Sequence, residues 1–573
     1  MRSSGRAAAV RLSVASATLA ALALTLAPGP AAAASAPEVE RRRIGPSVLL
    51  ATSEARPHAA PTKHASATVS DFDGDGVDDL AVAARGPEWV DAEAHSVDGA
   101  VAVRYSSLQR SDVFVGQDEA TRGHWCREFA SALATGDFDH DGYDDLAVGS
   151  TCESPDGSFA KKHSGAVFVF PGSRTGLDLS TVRRLSRSTV GVPGRALPGE
   201  RFGQVLAAGD LNGDGYDDLA VGMPEAKVGS ARRAGAVVVL FGARAGLSGA
   251  GSQAFDRSTA GVPGAARADD QLGTSLSIGR VTADGYGDLV VGAPDGRETS
   301  LAWDSAVLLV PGGPRGLAVG SSTMAGGVQV NQALGVDRFA PFVGSLGASV
   351  VVADVDGDGR DEVVAGAPDS WVHVPGSRVG AARKLSGAVV VLEVRGSTFS
   401  LDDTSWVDLG SAGVPGHPEQ PDAFGTSLTA TDLDRDGRVD VAVGAPRRRV
   451  GSQESAGAVY VLKGTSHGLT GLGSVALTQA TAGVPGYAGA GDGFGRAIAF
   501  LDVDGSGRRD LVVGAASDHA LGDRPGERSG GVTVFRNVSG SLRPVSAWGG
   551  ARAGVTGRIT RLVSFGSVVA GRS

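Results

Sequence analysis

The chain has 573 residues and a formal net charge of −10, with 86 glycines, 42% hydrophobic and 5% aromatic residues, and two cysteines. So much glycine beside a moderate apolar fraction suits many short strands and tight turns, and excludes a bundle of membrane helices or a wholly disordered chain. No basic stripe offers a surface for nucleic acid, and beyond the first 34 residues no segment has the roughly 18 uninterrupted apolar residues of a membrane helix.

Residues 1–34 read as a secretory signal: Arg2, Arg6 and Arg11 precede an apolar run from Leu12 to Ala27, and Ala32-Ala33-Ala34 supply a small-residue cleavage site. Cleavage near Ala34 would leave an exported, extracellular protein with no membrane insertion. Residues 35–62, with Arg41-Arg42-Arg43 among scattered Pro and Ala, read as a flexible leader. Residues 63–573 are organised by one recurring stretch.

At Asp71 the chain reads Asp-Phe-Asp-Gly-Asp-Gly-Val-Asp-Asp79 and runs at once into Leu80-Ala-Val82. Variants begin at Asp137, Asp210, Arg280, Asp354, Asp432 and Asp502, at intervals of 66 to 78 residues, which makes seven units. Acids at positions 1, 3, 5 and 9 of so short a loop gather several oxygens around one hard cation. Gly at position 6 permits the sharp turn, and the position-7 carbonyl can add a ligand. Calcium, with its flexible oxygen coordination, suits this better than magnesium. An EF-hand would need Glu at position 12 and flanking helices; here position 12 is apolar or small and the following text is strand-like.

The expected calcium ligands are Asp71, Asp73, Asp75 and Asp79 in loop one, Asp137, Asp139, Asp141 and Asp145 in loop two, and Asp210, Asn212, Asp214 and Asp218 in loop three. Loop five supplies Asp354, Asp356, Asp358 and Glu362, loop six Asp432, Asp434, Asp436 and Asp440, and loop seven Asp502, Asp504, Ser506 and Asp510. Ser506 at position 5 weakens loop seven. Loop four has Arg280, Thr282, Asp284 and Asp288 at these positions; two carboxylates are gone, and Arg280 is expected to replace the ion by pairing with Asp284 or Asp288.

Both cysteines, Cys126 and Cys152, belong to the second unit. Strands at about 130–136 and 145–150 would put them at one end of a hairpin, so a disulfide is expected in an exported chain.

The third unit gives the strand pattern most cleanly. Strand one leads from Phe202-Gly203 to Asp210, strand two is Asp218 to Pro224, strand three Gly235 to Gly242, and a more polar fourth lies near Ser252 to Ser258. Near-continuous apolar runs in the first three imply burial on both faces, while the polar fourth belongs at an outer edge. Seven such four-stranded antiparallel units predict an all-β fold, a seven-bladed β-propeller, because radial closure removes the free edges of an open sheet.

A Phe-Gly pair seven residues before an acidic loop, followed by Gly-Ala-Pro, resembles the FG-GAP repeat of integrin α-subunit propellers and of secreted bacterial proteins built from it. The pattern stands as Phe202-Gly203 with Gly222-Met-Pro224, Leu272-Gly273 with Gly292-Ala-Pro294, and Leu346-Gly347 with Gly366-Ala-Pro368. It returns as Phe424-Gly425 with Gly444-Ala-Pro446 and Phe494-Gly495 with Gly514-Ala-Ala516. Unit one has Lys63-His64 and unit two Phe129-Ala130 in place of Phe-Gly. Phe565-Gly566 near the C-terminus starts a further strand with no acidic loop after it, so either residues 64–70 or 565–571 could close the ring against unit one. The resemblance implies calcium binding and a role in adhesion or ligand binding.

Catalytic patterns are poor. Gly464-Thr-Ser466-His-Gly468 matches G-x-S-x-G in form only, since it falls on a turn between strands three and four rather than before a helix. His140 at position 4 of loop two reads as a solvated residue, and carboxylates repeated in every unit read as metal scaffolding. The expectation is a non-catalytic, monomeric scaffold that binds a protein or glycan on the loops opposite the calcium end. Those loops include Glu88-Trp89-Val-Asp91, Asp156-Gly-Ser-Phe159, Trp303-Asp304, Trp371-Val-His373, Arg447-Arg448-Arg449 and the recurrent Gly-Val-Pro-Gly at Gly191, Gly261, Gly413 and Gly483. A lectin propeller, or a propeller subunit of an exported hydrolase, are the alternatives.

Overall fold

The computed structural model describes residues 38–44, 47–53, 69–87, 97–106, 113–118, 128–154, 162–294, 305–335, 343–373, 383–517, 530–549 and 564–569. The signal segment, Lys63-His64, Cys126, and the loops at Glu88–Asp91, Asp156–Phe159 and Trp303-Asp304 lie outside these residues.

The chain forms a seven-bladed β-propeller of antiparallel blades, with almost no helix beyond the short segment Gly327–Ala333. Blade three shows the plan: Val205–Gly209, Asp218–Met223, Ala236–Leu240 and Gln253–Phe255 pair in chain order. Strands two and three are buried along their whole length, while the fourth is half-buried at the rim, as its polarity requires. Blades two and four to seven repeat this order, and in them each acidic loop joins strands one and two. Loops between strands two and three, and between strand four and the next blade, therefore lie at the opposite end.

The repeated motif has a packing cause. Phe129, Phe202, Leu272, Leu346, Phe424 and Phe494 are fully buried. The glycine of each Gly-Ala-Pro backs onto the Phe-Gly glycine of the following blade: a Cβ on Gly222 would come within 2.3 Å of the Gly273 carbonyl, and one on Gly444 within 2.1 Å of that of Gly495. Any side chain there would force neighbouring blades apart. Ser275, Ser349 and Ser427 donate to the same carbonyls at 2.7, 2.8 and 2.7 Å. In blade two, Ala130 stands at the glycine position and is held at φ 61°, a left-handed conformation that strains a side-chain-bearing residue.

Blade one settles how the ring closes. Its innermost strand is Ser564–Val569, paired antiparallel with Leu80–Pro87, so the C-terminal stretch takes that place. Outward follow Val97–Arg104 and Val113–Asp118. The sheet then continues into a hairpin of Ser47–Ser53 and Glu38–Ile44, where a flexible leader was expected. This hairpin covers a rim edge that would otherwise be open. The Asp502 N–H donates to the Asp78 carboxylate at 2.7 Å, the Asp78 N–H returns a bond to the Asp502 carbonyl at 3.1 Å, and the Arg104 guanidinium lies 5.1 Å above the Trp548 ring. Blades seven and one are thus joined by polar as well as apolar contacts.

Candidate functional site

Each acidic loop is wound by its own backbone. Positions 4 and 6 are left-handed in all seven, with glycine throughout at position 6 and His140, Ala283 and Arg435 as the exceptions at position 4. This brings successive N–H groups onto the position-1 carboxylate: Asp71 accepts from Gly74, Asp75 and Gly76 at 2.7, 3.1 and 2.8 Å, and Asp354 from Gly357 and Gly359 at 2.7 and 2.9 Å. The acids then point inward. Oxygens of Asp71, Asp73 and Asp79 lie within 4.8 Å of one another, as do those of Asp137, Asp139 and Asp141, of Asp354, Asp356 and Glu362, and of Asp432, Asp434 and Asp436. An all-oxygen set of this kind fits a hard divalent cation.

The position-9 acid has a structural duty as well. In loops one to three it accepts the position-2 N–H and an N–H at the end of strand three, as Asp145 does from Phe138 and Gly172 at 3.2 and 2.8 Å, and Asp218 from Leu211 and Gly242 at 3.0 and 2.9 Å. Burial raises its pKa, to about 8 for Glu362 and about 7 for Asp218 and Asp510, and well above the usual range for Asp79 and Asp145. Asp510 Oδ2 is buried with no hydrogen-bond partner among the described residues, an oxygen that a cation in loop seven would satisfy.

Position 8 was not singled out by spacing, yet it joins the blades. Asp144 accepts the Asp71 N–H at 2.9 Å, Asp217 that of Asp137 at 3.0 Å, and Asp361 that of Arg280 at 2.8 Å. The signal was visible in the doubled acids Asp144-Asp145 and Asp217-Asp218, of which one faces the loop and the other the preceding blade.

The loops differ in their neighbours. In loop four, Arg280 is exposed and makes no ion pair with Asp284 or Asp288 among the described residues; Thr282 instead donates to Asp288 from its N–H and hydroxyl, at 2.7 and 3.1 Å. In loop six, Lys463 Nζ lies 2.7 Å from Asp434 and 2.8 Å from Asp440, and Arg438 pairs with Asp436. In loop seven, Arg536 Nε lies 2.7 Å from Asp504. Among the described residues no basic side chain pairs with the acids of loops two, three or five. These basic partners come from strand three or, for Arg438, from position 7, and the ligand positions alone gave no sign of them.

At the opposite end, a polar cleft of about 250 Å³ opens between blades two, three and four, lined by Glu128, Thr151, Arg201, Gln204, Glu225 and Gln271 among others. Arg201 pairs with Glu128 at 3.3 Å, Thr151 also donates to Glu128, and Arg201 and Gln271 are held at φ 56° and 51°. Away from this cleft, Val190 and Tyr487, beside Gly-Val-Pro-Gly segments that pack on strand four or its approach in the next blade, are 94% and 63% exposed. The glycines of these loops are less free than their exposed neighbours: Gly191 has φ 92° and its Cβ would sit 2.4 Å from the Gly249 carbonyl of the next blade. Ser466 is exposed on its turn, its hydroxyl 3.1 Å from the ring of the adjacent His467, and His140 is likewise exposed, edge-on to Tyr216.

The FG-GAP repeat family matches residues 129–170, 202–240, 346–373 and 424–462. Among curated proteins the chain is similar to integrin alpha pat-2 of Caenorhabditis briggsae, 31% identical over 44% of this chain and 19% of that one. It is also similar to human phosphatidylinositol-glycan-specific phospholipase D, 30% identical over 33% of this chain and 23% of that one. Integrin alpha-PS5 of Drosophila melanogaster is 43% identical over 17% of this chain and 9% of its own. The chain thus spans less than a quarter of the length of these relatives. Among solved structures, an exotype rhamnogalacturonan lyase aligns at 12% identity and TM-score 0.32, over 89% of this chain and 82% of that one. A Synechocystis apocarotenoid oxygenase aligns at 9% and 0.37, over 84% and 94%. Neither likeness bears on activity. Four blades of the propeller thus carry FG-GAP repeats, and the chain resembles integrin alpha over part of its length.

Proposed function

We propose that this FG-GAP propeller is an exported, non-catalytic scaffold, stiffened by calcium at one end of the ring and binding a protein or glycan ligand at the other. The observation that carries the reading is the repetition of inward-facing carboxylates on backbone cradles around one end. An active site would be single, whereas this arrangement recurs blade after blade and serves the frame.

In loops one, two, three and five the position-1, -3, -5 and -9 side chains would hold the ion with the position-7 carbonyl. A bound divalent charge would offset the repulsion among those acids and fix the turn between strands one and two. Loop seven would hold its ion less firmly, with Ser506 for a carboxylate and Arg536 on Asp504. The loop end opposite, with the Glu128–Arg201 cleft, offers paired charges and amides to a partner.

The test couples the two ends. A surface coated with the calcium-loaded protein should support attachment of cells, and chelator should abolish it as the ring loosens; a glycan array with the same protein separates a sugar ligand from a protein one. Turnover by the purified chain on a glycan or lipid substrate, or attachment untouched by chelator, would contradict the reading.

A further inference from the structure

Strand three of each blade passes the acidic loop at one fixed place. In blade six, Leu462 pairs with Val441, and the next residue is Lys463; in blade five, Leu392 pairs with Val363, and the next is Glu393; in blade seven, Phe535 pairs with Leu511, and the next is Arg536. The same step gives Pro171, Phe241 and Pro311 in blades two, three and four, after Phe170, Leu240 and Val310. One position therefore bears a neutral ring, an acid or a base, and in blades two, three, four, six and seven the N–H of the next residue meets the carboxylate of position 9.

We infer that, in loops that keep their acids, this strand-three side chain decides whether calcium binds, and that in blade six the ammonium of Lys463 is itself the cation, so that loop six keeps all its acids and holds no metal. The inference rests on the calcium reading of the other loops. Lys463 Nζ bridges positions 3 and 9, at 2.7 and 2.8 Å from Asp434 and Asp440, which is the gap between the two acids that an ion would have to enter. The third outward acid, Asp436, is paired with Arg438, and Asp432 is turned to the backbone N–H groups of Asp436 and Gly437 at 3.0 Å each. All four acids are satisfied without a metal. A calcium ion would have to displace a half-buried ammonium and leave that charge beside its own.

Blade seven is intermediate. Among the described residues Arg536 pairs with Asp504 alone, at 2.7 Å, and Asp510 Oδ2 has no donor, so a gap remains there for a weakly held ion. Blade five is the opposite case, because Glu393 adds a negative charge near Asp356 and Asp358. The three consecutive blades thus run from added acid, through an internal ion, to a half-filled loop. An internal cation holds its turn at any calcium concentration, so blade six would stay fastened while its neighbours loosen.

The experiment counts bound calcium by elemental analysis after dialysis at fixed free calcium, on the full exported chain. Wild type and Asp434→Ala should give the same count, Lys463→Gln should gain one ion, and Lys463→Arg should keep the wild-type count. In chelator, Lys463→Gln should melt below Lys463→Arg, and calcium should restore it, which shows that the variant folds and that the new ion replaces the ammonium. A count that falls by one with Asp434→Ala while the other loops stay loaded would overturn this inference alone. A wild type that binds no calcium at all would overturn the calcium reading, and no gain with a folded Lys463→Gln would overturn the exchange of ammonium for metal.

Discussion

Loop four has given up two of its carboxylates, whereas loop six keeps all four and sets a lysine among them. In loop four, Thr282 turns inward to donate to Asp288, and Arg280 faces out, its N–H held by Asp361 of the next blade. In loop six, Asp434 is stabilised in its charged form, its pKa lowered by the hydrogen bond from Lys463, while burial still raises Asp440. Acids crowded into a turn repel one another, and this ring shows two ways to relieve that without an ion: removing charge, or tethering an opposite one. Only the first leaves a mark in the loop itself.

The largest expected effect separates both loops from the rest. Adding chelator to the calcium-loaded protein should lower the melting temperature steeply, since an ion bound only by the native state stabilises by about 2.7 kcal/mol per site at a hundredfold excess over Kd. Calorimetry with and without chelator measures this; an unchanged transition would make loops two, three and five no different from four and six. Next in size is loss of one ion from a loaded loop: Asp356→Ala should lower the calcium count by one and the melting temperature in calcium, while Asp284→Ala should leave the count unaltered.

A subtler contrast lies in pH. The raised position-9 acids, Glu362 at about 8 and Asp218 and Asp510 at about 7, titrate near about 4 when unfolded. Their folded pKa lies above the unfolded one, so their contribution to stability is full below about 4 and is lost as pH rises through 7 to 8. Metal-free protein should therefore melt at progressively lower temperature between about pH 5 and 8, and calcium should flatten that slope. A metal-free melting temperature that rises over this range would contradict the account. The smallest effect concerns the rim of blade two: thiol labelling of the denatured, unreduced protein should find neither Cys126 nor Cys152 reactive, in keeping with a bridge across the end of the Phe129–Gly136 and Asp145–Ser150 hairpin.

The blade count, the strand order and the turn conformation were legible because each depends on residues a few places apart. Gly76 and its counterparts must be left-handed wherever the loop exists, and Asp218 leads straight into its strand. What was not legible depends on contacts across the sheet or between blades. Lys463 lies in strand three, well removed in sequence from Asp434, and only the Leu462–Val441 register brings them together. Arg280 carries a charge that suggested a partner within its own loop, yet its side chain is exposed and its backbone N–H is held by Asp361 of the neighbouring blade. The hairpin of Glu38–Ile44 and Ser47–Ser53 looked like a leader because Arg41-Arg42-Arg43 is polar; at an outer edge, polarity is what a strand facing water requires.

The most direct test of the central claim is a crystal structure of the calcium-loaded protein with anomalous diffraction to locate the ions. The account predicts peaks in loops one, two, three and five, a weaker one in loop seven, and none in loops four and six, where Thr282 and Lys463 fill the space. A calcium peak within bonding distance of Asp434 and Asp440, with Lys463 swung away, would contradict it.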